Sequence, residues 1–419
     1  MAGFSSEEER RGEAVRLVKT DGMPVAEAAE TVGRSRRWLS KWLARDRAGE
    51  DLSDRSKASS TSFRTLDPGV TDLVLSYRDR LENDPVASVG GLSILAAMER
   101  DRIAAPLPSV RSIERILTAH HRTRPAVKKR DRSTVAVLPL PKVGATPGVW
   151  QQSDWVQDRY LHGGVRFNSI QISDVGSEGV SADQHQRRTL VNAVTTLIER
   201  AWPVLSIPWG MSVDNAFIKT SHRDNPWTIW TKACLFYGVE LIVSPPSELG
   251  WTNHVENINN LWQDRTIGRH HFANLDELAD LNATFCRWAN HERPILDPTL
   301  TGTRYPAVLI DSYRGRLRWP PHLTIADHLD RNGTLHIPLT NGRVTFLRRV
   351  TNRAITIARH EWPVDLPDHS LVVASITTGD AQLAIRHQAA DIATYTYPIP
   401  GTVTDPYYPH QPTSLYHHA

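Results

Sequence analysis

The stretch that decides the fold is residues 244–265, SPPSELGWTNHVENINNLWQDR, which sets the carboxylate of Glu256 on an amide-rich helix. A single carboxylate of this kind needs partners to form a site. Two upstream segments offer them: residues 151–155, QQSDW, which contain Asp154, and residues 212–217, SVDNAF, which contain Asp214. The sequence therefore places three candidate acids on three separate elements.

The residues around these acids resemble the catalytic core of the Asp-Asp-Glu transposases and integrases of bacterial insertion sequences, relatives of the retroviral integrases. The matching motifs are WQQSDW at 150–155, DNAF at 214–217, SPP at 244–246, NHVEN at 253–257 and NHERP at 290–294. The resemblance implies a ribonuclease-H-like, mixed-sheet α/β core over residues 145–310. The predicted order, with strands first and then alternating helices and strands, agrees with that fold class.

The chemistry that the resemblance implies requires metal ions. Breaking or joining a DNA phosphodiester needs an activated nucleophilic oxygen, neutralised charge on the phosphorane and a stabilised leaving oxygen. Two Mg²⁺ ions about 4 Å apart meet these needs, with Mn²⁺ as a substitute, and such ions prefer carboxylate oxygens. We expect Asp154, Asp214 and Glu256 to be the catalytic residues and metal ligands, with Asp154 bridging both ions.

Some residues depart from the family pattern. The interval between Asp214 and Glu256 is longer than usual, and we place the excess in residues 222–227. Ala216 stands where the family has glycine, and His254 and Asn257 flank the glutamate where basic residues are usual. These changes weaken the expected grip on DNA more than metal binding. The rival acids nearby, which we interpret as loop or strand-end residues, are Asp158, Asp174 and Asp183.

Residues 1–50 predict a helix-turn-helix domain that binds DNA. A second helix over residues 25–31 is followed by Gly33 as the turn and by Ser35 as the N-cap of a third helix. The third helix turns four apolar residues inward, Trp38, Leu39, Trp42 and Leu43. Its basic residues then face the DNA major groove, namely Arg34, Arg36, Arg37 and Lys41.

The rest of the chain predicts a multidomain protein with α, α/β and β parts. Residues 51–64 are a serine-rich linker, and residues 66–121 resemble a second helix-turn-helix DNA-binding module. After the core, short β-rich runs over residues 330–390 suggest a small β-barrel domain. The tail over residues 398–419 shows no period, and we expect it to be disordered or to depend on a partner.

Composition narrows the class of protein. The 419 residues are 40% hydrophobic and 23% charged, which is ordinary for a globular protein. No apolar run reaches membrane-span length, the N-terminus is acidic and polar, and Cys234 and Cys286 are the only cysteines. A membrane span, a disulfide framework and a cysteine-rich zinc site are therefore not expected. We expect a cytoplasmic, nucleoid-associated protein.

The leading hypothesis is a DNA transposase or integrase. It would cleave the ends of a mobile element and join the 3′ hydroxyl to target DNA by direct transesterification, activating water first and the hydroxyl second. Its partners would be double-stranded DNA, both element ends and target, and further copies of itself assembled on DNA. The need for an accessory ATPase stays open. The alternatives are a catalytically silent DNA-binding regulator derived from a transposase and, third, a simple ribonuclease-H-like nuclease.

Overall fold

The computed structural model describes residues 4, 6–54, 67–104, 106–123, 146–219, 226–246, 248, 250–295, 304–321, 324–388 and 390–409. The chain divides into two units, Met1–Asp67 and Pro68–Ala419. Two segments that the sequence analysis singles out lie largely outside the described residues, namely the linker over residues 51–64 and the loop over residues 222–227.

The first unit is three helices, α1 (Glu7–Lys19), α2 (Val25–Thr31) and α3 (Arg36–Arg47). They enclose their own small core, to which α3 contributes Leu39, Trp42 and Leu43. Ser35 begins α3 because its hydroxyl accepts a hydrogen bond from the backbone N–H of Trp38 at 3.2 Å, satisfying a first-turn donor. The helix bounds and the cap agree with the sequence prediction.

The second unit begins with three more helices, α4 (Pro68–Glu82), α5 (Gly91–Arg100) and α6 (Val110–Ala119). They pack on one another and are joined to the region that follows. Arg265 donates to the carbonyl of Ala87 at 2.7 Å, and Arg100 pairs with Glu292 at 3.1 Å. The predicted second module is thus helical but belongs to the same unit as the central sheet.

The central sheet is mixed, as the sequence predicts. Three antiparallel strands come first, and two strands parallel to β1 are added on its other side. The five strands are β1 (Trp150–Tyr160), β2 (Arg166–Asp174), β3 (Val180–His185), β4 (Gly210–Val213) and β5 (Glu240–Val243).

Helices cover both faces of this sheet. One face is covered by α7 (Leu190–Thr196), a π-turn (Leu197–Ala201), α8 (Trp202–Leu205) and α9 (Ile229–Phe236). The other elements are α10 (Asn253–Arg265), α11 (Leu275–His291) and α12 (Pro306–Tyr313), with α10 against β1 and β2 and α11 against β3. Among the described residues, no helix has the length and apolar character needed to cross a membrane.

The apolar run over residues 204–207, just before β4, does not belong to that strand. Val204 lies in α8, which continues directly from the π-turn Leu197–Ala201 and has Pro203 in its first turn. The helix ends at Ser206, which has a φ of 71°, and the strand starts only at Gly210. The apolar run is helical because Trp202 and Leu205 bury their side chains in the core from that conformation.

The C-terminal strands do not confirm a separate small barrel. They are β6 (Arg343–Arg349), β7 (Ala354–Ile357), β8 (His360–Pro363), β9 (Leu371–Thr377), β10 (Gln382–His387) and β11 (Ala390–Thr396). Strand β6 pairs in parallel with β5, so the sheet continues in the order β11-β10-β9-β6-β5-β4-β1-β2-β3. Pairing with β6 removes the open edge that β5 would otherwise present.

Part of the predicted disordered tail is ordered against the second unit. The backbone N–H of Tyr407 donates to the carbonyl of Phe236 at 2.7 Å, and the hydroxyl of Tyr408 donates to the carbonyl of Trp319 at 2.7 Å. Apolar contact with the core accounts for this, because Ile399, Val403 and Tyr408 pack against it, and such contacts need no sequence period. The prediction therefore fails for residues 398–409, and the remaining tail lies outside the described residues.

Candidate active site

The sheet brings Asp154 and Asp214 to the same place. Strands β1 and β4 run parallel, with Ser153 opposite Val213, so each aspartate is the next residue along its own strand. Neighbouring strands lie about 4.8 Å apart, which makes the two carboxylates neighbours at the carboxyl end of β4. Parallel pairing thus joins two acids that are far apart in the sequence.

The carboxylate of Asp154 is largely buried and held at both oxygens. Oδ1 accepts from the backbone N–H of Trp155 at 2.8 Å, and Oδ2 accepts from Nδ2 of Asn259 at 2.7 Å. Burial raises the pKa of Asp154 to about 6, and the negative charges of Asp214 and Glu256 push it in the same direction. The two hydrogen bonds oppose that rise.

Asp214 caps the short 3₁₀ turn Asn215–Phe217 that follows β4. Its Oδ1 accepts from the backbone N–H of Ala216 at 2.8 Å. Burial raises the pKa of Asp214, while the Ala216 N–H and the positive charges of Arg188 and Lys219 lower it. Two basic side chains therefore lie within electrostatic reach of this carboxylate, and both are exposed.

Glu256 lies in the first turn of α10 and is engaged at one oxygen. Its Oε1 accepts from the hydroxyl of Thr252 at 3.1 Å and from the backbone N–H of Gly250 at 3.4 Å. Among the described residues, Oε2 has no hydrogen-bond partner, so one carboxylate oxygen is available to a ligand. The charge of Glu256 reaches Asp154, since it contributes to the raised pKa of that aspartate.

Two polar residues that the sequence analysis missed fasten α10 to β1. The side chain of Gln152 accepts from the first-turn N–H groups of His254 (3.0 Å) and Val255 (3.2 Å), which have no helical partner. Asn259 binds Asp154 as described above. Both could have been found by periodicity, because Gln152 shares the strand face of Asp154 and Asn259 lies one helical turn after Glu256.

The oxygen ligands available at the site decide whether a divalent metal ion could bind there. Within the described ranges, no three acidic, histidine or cysteine side chains converge on a single ion position. The donor chemistry still suits Mg²⁺, because the buried carboxylates repel one another and the Oδ1 atom of Asn259, beside Asp154, is a buried acceptor without a partner in the described chain. Asp154, Asp214 and Glu256 are therefore the residues that could hold the metal.

The rival acids are occupied elsewhere. Asp174 is fully buried and accepts from Ser177 and the backbone N–H of Gly148. Asp183 pairs with Arg200, and Asp158 pairs with Arg166 across the β1–β2 hairpin. Each has a local structural partner. Asp174 ends β2, in keeping with its interpretation as a strand-end residue, but Asp158 and Asp183 lie within β1 and β3.

The basic residues predicted on α3 divide into two groups. Arg34 precedes the helix and pairs with Glu7, with its guanidinium 5.8 Å from the centre of the Trp38 ring. In contrast, Arg36 and Arg37 are exposed and have no acidic partner among the described residues. Lys41 is also exposed, with its ammonium 5.3 Å from the Trp42 ring. The unpaired cations therefore lie on the first turns of α3.

Comparison with known proteins identifies the first unit. Residues 5–53 match a family described as a homeodomain-like domain, which spans the three helices α1 to α3. No curated protein matches the chain. The N-terminal unit is thus similar to homeodomain-like helix-turn-helix domains over its three helices.

Solved structures with some likeness to this chain include viral integrases. One is a simian T-cell lymphotropic virus intasome bound to the PP2A regulatory subunit B56 gamma, at 14% identity over 73% of this chain and 96% of that chain, TM-score 0.34. The HTLV-2 integrase catalytic core with magnesium matches at 17% identity over 36% and 92%, TM-score 0.27. BIV integrase core matches at 15% over 40% and 98%, TM-score 0.29. These likenesses are too distant to decide this chain's activity.

Proposed function

We propose that this protein is a DNA transposase or integrase that cleaves element ends and joins the 3′ hydroxyl to target DNA by metal-dependent transesterification. The observation that supports it most is the convergence on Asp154. Its neighbouring strand supplies Asp214, and the helix that carries Glu256 donates a hydrogen bond to it through Asn259. Three acids, each from a different element, therefore lie close enough at the carboxyl end of β4 for Asp214 and Glu256 to act on the charge of Asp154.

The chain's own residues would divide the work. Asp154, Asp214 and Glu256 would hold the metal, and bound Mg²⁺ supplies Lewis-acid activation of the attacking oxygen and neutralisation of phosphate charge. Asn259 keeps the Asp154 carboxylate turned toward α10. Arg188 and Lys219, near Asp214, are suited to contact the DNA phosphates.

DNA recognition is assigned to the homeodomain-like unit. Arg36, Arg37 and Lys41 are exposed on the first half of α3, the part of a recognition helix that reaches base edges and phosphates. Arg34 is held by Glu7, so we assign it a backbone-positioning role. The protein would act as a homo-oligomer on DNA, because two element ends must be joined together.

The second candidate is a catalytically silent DNA-binding regulator. It is favoured by one observation, the hydrogen bonds that tie one oxygen of Glu256 to Thr252 and Gly250 while the three acids do not converge on one ion position in the described chain. In a working enzyme, Glu256 would have to release these bonds when metal binds. In a regulator it would keep them.

The deciding experiment is a strand-transfer assay. Purified protein, end-labelled duplexes from the DNA that flanks its coding sequence, and Mg²⁺ are incubated with a supercoiled target. We expect joined products from the wild type and a loss of roughly 100-fold or more for Asp154→Asn, Asp214→Asn and Glu256→Gln, since metal coordination contributes several kcal/mol. The matched control is Asp158→Asn, a strand β1 acid paired only with Arg166 among the described residues.

The outcomes separate the two candidates. Joining by the wild type and by Asp158→Asn, but by none of the three site variants, supports the enzyme. Equal joining by the wild type and all three site variants contradicts the assignment of these acids. Binding to the flanking duplexes without joining, and with the same affinity in every variant, favours the regulator.

A further inference from the structure

Strand β6 carries two consecutive arginines to the end of the sheet where the candidate site lies. Because successive strand residues point to opposite faces, Arg348 lies on the face of Val344 and Phe346, and Arg349 lies on the face of Leu347. Strand β6 is paired with β5, whose last residue leads into the segment before α10. One strand thus reaches both the turn that Asp214 caps and the loop that leads into the helix of Glu256.

Arg348 is buried and is held by neutral acceptors. Nη2 donates to Oδ1 of Asn215 at 2.8 Å, and Nη1 donates to the carbonyl of Ser244 at 3.2 Å. Nε donates to the carbonyl of Thr356 at 3.1 Å. Asn215 itself donates to the same Ser244 carbonyl at 3.0 Å. Asn215 directly follows Asp214, so this network fixes the turn that Asp214 caps.

Arg349 contacts the loop between β5 and α10. It forms an ion pair with Glu248 in which Nη2 lies 3.0 Å from Oε2, and it also donates to the carbonyl of His369 at 3.0 Å. Glu248 in turn accepts from Nε1 of Trp251 at 3.3 Å. Trp251 is buried just before α10, so the pair anchors the start of the helix that carries Glu256.

The charge of Arg348 indicates a role beyond packing. It is 4% exposed and forms no ion pair with any described acid. Burying a cation without an anion is costly, and a well-packed apolar residue would often be as stable or more stable at such a position. The planar fork of arginine does what an apolar residue cannot, because it ties the Asp214 turn, the end of β5 and the strand β7 carbonyl to one rigid group.

We propose that Arg348 and Arg349 are positioning residues of the active site, Arg348 for Asp214 and Arg349 for Glu256, so that the C-terminal sheet is a working part of the catalytic core. This inference rests on the proposed function, because it assumes that the two acids bind metal. Neither arginine touches the reacting groups. Each acts through one neighbour, Asn215 or Glu248.

The test measures the Mg²⁺ requirement of full-length variants in two ways, by thermal stabilisation and by strand transfer. Arg349→Gln and Glu248→Gln break the same ion pair from opposite sides. We expect each to raise the half-saturating Mg²⁺ concentration about 10-fold or more, as loss of a group that orients a metal ligand does. The double variant should match either single one, because both remove one interaction.

Arg348→Lys and a distant control complete the set. Lysine keeps the positive charge but loses the fork, so we expect a similar rise in the Mg²⁺ requirement. Arg343→Ala lies on the same strand, 3.9 Å from Glu240 and at the end away from the loops, and should leave the requirement unchanged. If Arg348→Lys does not fold, the Glu248 and Arg349 variants decide the proposal, since Glu248 lies in a loop.

The results distinguish this inference from the proposed function. A wild type that responds to Mg²⁺, with variants at the wild-type half-saturation, overturns the positioning role and leaves the proposed function standing. A merely structural role would lower the melting temperature of the variants without moving the half-saturation. A wild type without any Mg²⁺ response overturns the proposed function and this inference with it.

Discussion

At the scale of single residues, the buried acids Asp154 and Asp174 of the second unit differ in the groups that surround them. Asp154 faces two other acids, and burial raises its pKa to about 6. Asp174 faces only donors, yet full burial also raises its pKa to about 6. The acids around Asp154 favour the binding of a cation there. The carboxylate of Asp174 already has hydrogen-bond donors at both oxygens. The same pKa direction therefore has two different meanings.

The Asp154 arrangement predicts that Mg²⁺ stabilises the folded protein. A ligand present at ten times its dissociation constant adds about 1.4 kcal/mol to the free energy of unfolding. We expect thermal melts of the wild type to shift upward with Mg²⁺. Asp154→Asn and Asp214→Asn should lose the shift, and Asp158→Asn should keep it. Equal shifts in all four proteins would show that the cation binds elsewhere.

The Asp174 arrangement predicts a pH-dependent mutational effect. The folded pKa is above the ordinary 3.8, so this carboxyl's contribution to stability is greatest below about pH 4 and is lost as the pH rises through 6. The Ser177 hydroxyl, 2.6 Å away, supports the ionised form. We expect Ser177→Ala to lower the unfolding free energy by about 2 kcal/mol at pH 8 and by less at pH 5.

Urea unfolding at the two pH values checks this expectation. Ser312→Ala is the matched control, because its hydroxyl donates to the neutral carbonyl of Leu309 at 2.7 Å and its effect should not depend on pH. A loss for Ser177→Ala that is equal at pH 5 and pH 8 would mean that Asp174 keeps one protonation state across this range.

At the scale of elements, α3 and β4 show how local sequence and tertiary contact share the work. Helix α3 is specified locally, by the Ser35 cap and by apolar residues at helical spacing. Strand β4 is not, because its four residues depend on pairing with β1 and β5 on either side. Val204 and Leu205, just before it, are apolar enough for a strand, but they lie in α8 because Leu205 packs in the core from that helix.

The exposed arginines of α3 predict a salt-sensitive contribution to DNA binding. Arg36→Ala with Arg37→Ala should weaken binding to duplex DNA and reduce the slope of log K against log salt by about 0.9 for each phosphate that these arginines neutralise. Fluorescence anisotropy over a salt series measures the slope. Arg16→Ala, in the same unit but paired with Glu13 and Asp21, removes one charge and should leave the slope unchanged. An identical slope in all three proteins would move DNA binding away from α3.

At the scale of the whole molecule, the C-terminal strands complete the core of the second unit. Val344, Phe346, Ile376 and Leu383 are fully buried in the same cluster as residues of β4 and β5. Each large buried side chain stabilises by about 1.5–3 kcal/mol, so these four alone rival the total stability of a typical domain. The first unit, in contrast, has a core of its own.

This arrangement predicts different results for two truncations. In a chain that ends at residue 321, the second unit should fail to fold, because it loses part of its core and the edge of β5 is left open. A chain that begins at residue 68 should unfold cooperatively, since it keeps the whole of the second unit's own core. Near-UV circular dichroism and size-exclusion chromatography distinguish these outcomes. A soluble, ordered chain ending at residue 321 would restore the separate barrel that the sequence predicts.

The sequence by itself determined the elements whose signals are local. These are the three helices of the first unit with the Ser35 cap, the order of strands and helices in the central sheet, and the three candidate acids. The periodicity of apolar residues and the preferences of capping residues act over a few positions, so they can be read without the fold.

Only the tertiary structure decided the contacts between distant segments. It joined β6 to β5, placed Arg348 beside Asn215 and Arg349 beside Glu248, and packed Tyr408 on the core. The reason is physical: strand pairing across about 100 residues depends on a free edge and a shared core, and neither leaves a local pattern in the chain. The three candidate acids were visible in the sequence, and the contacts that Arg348 and Arg349 make near them were not.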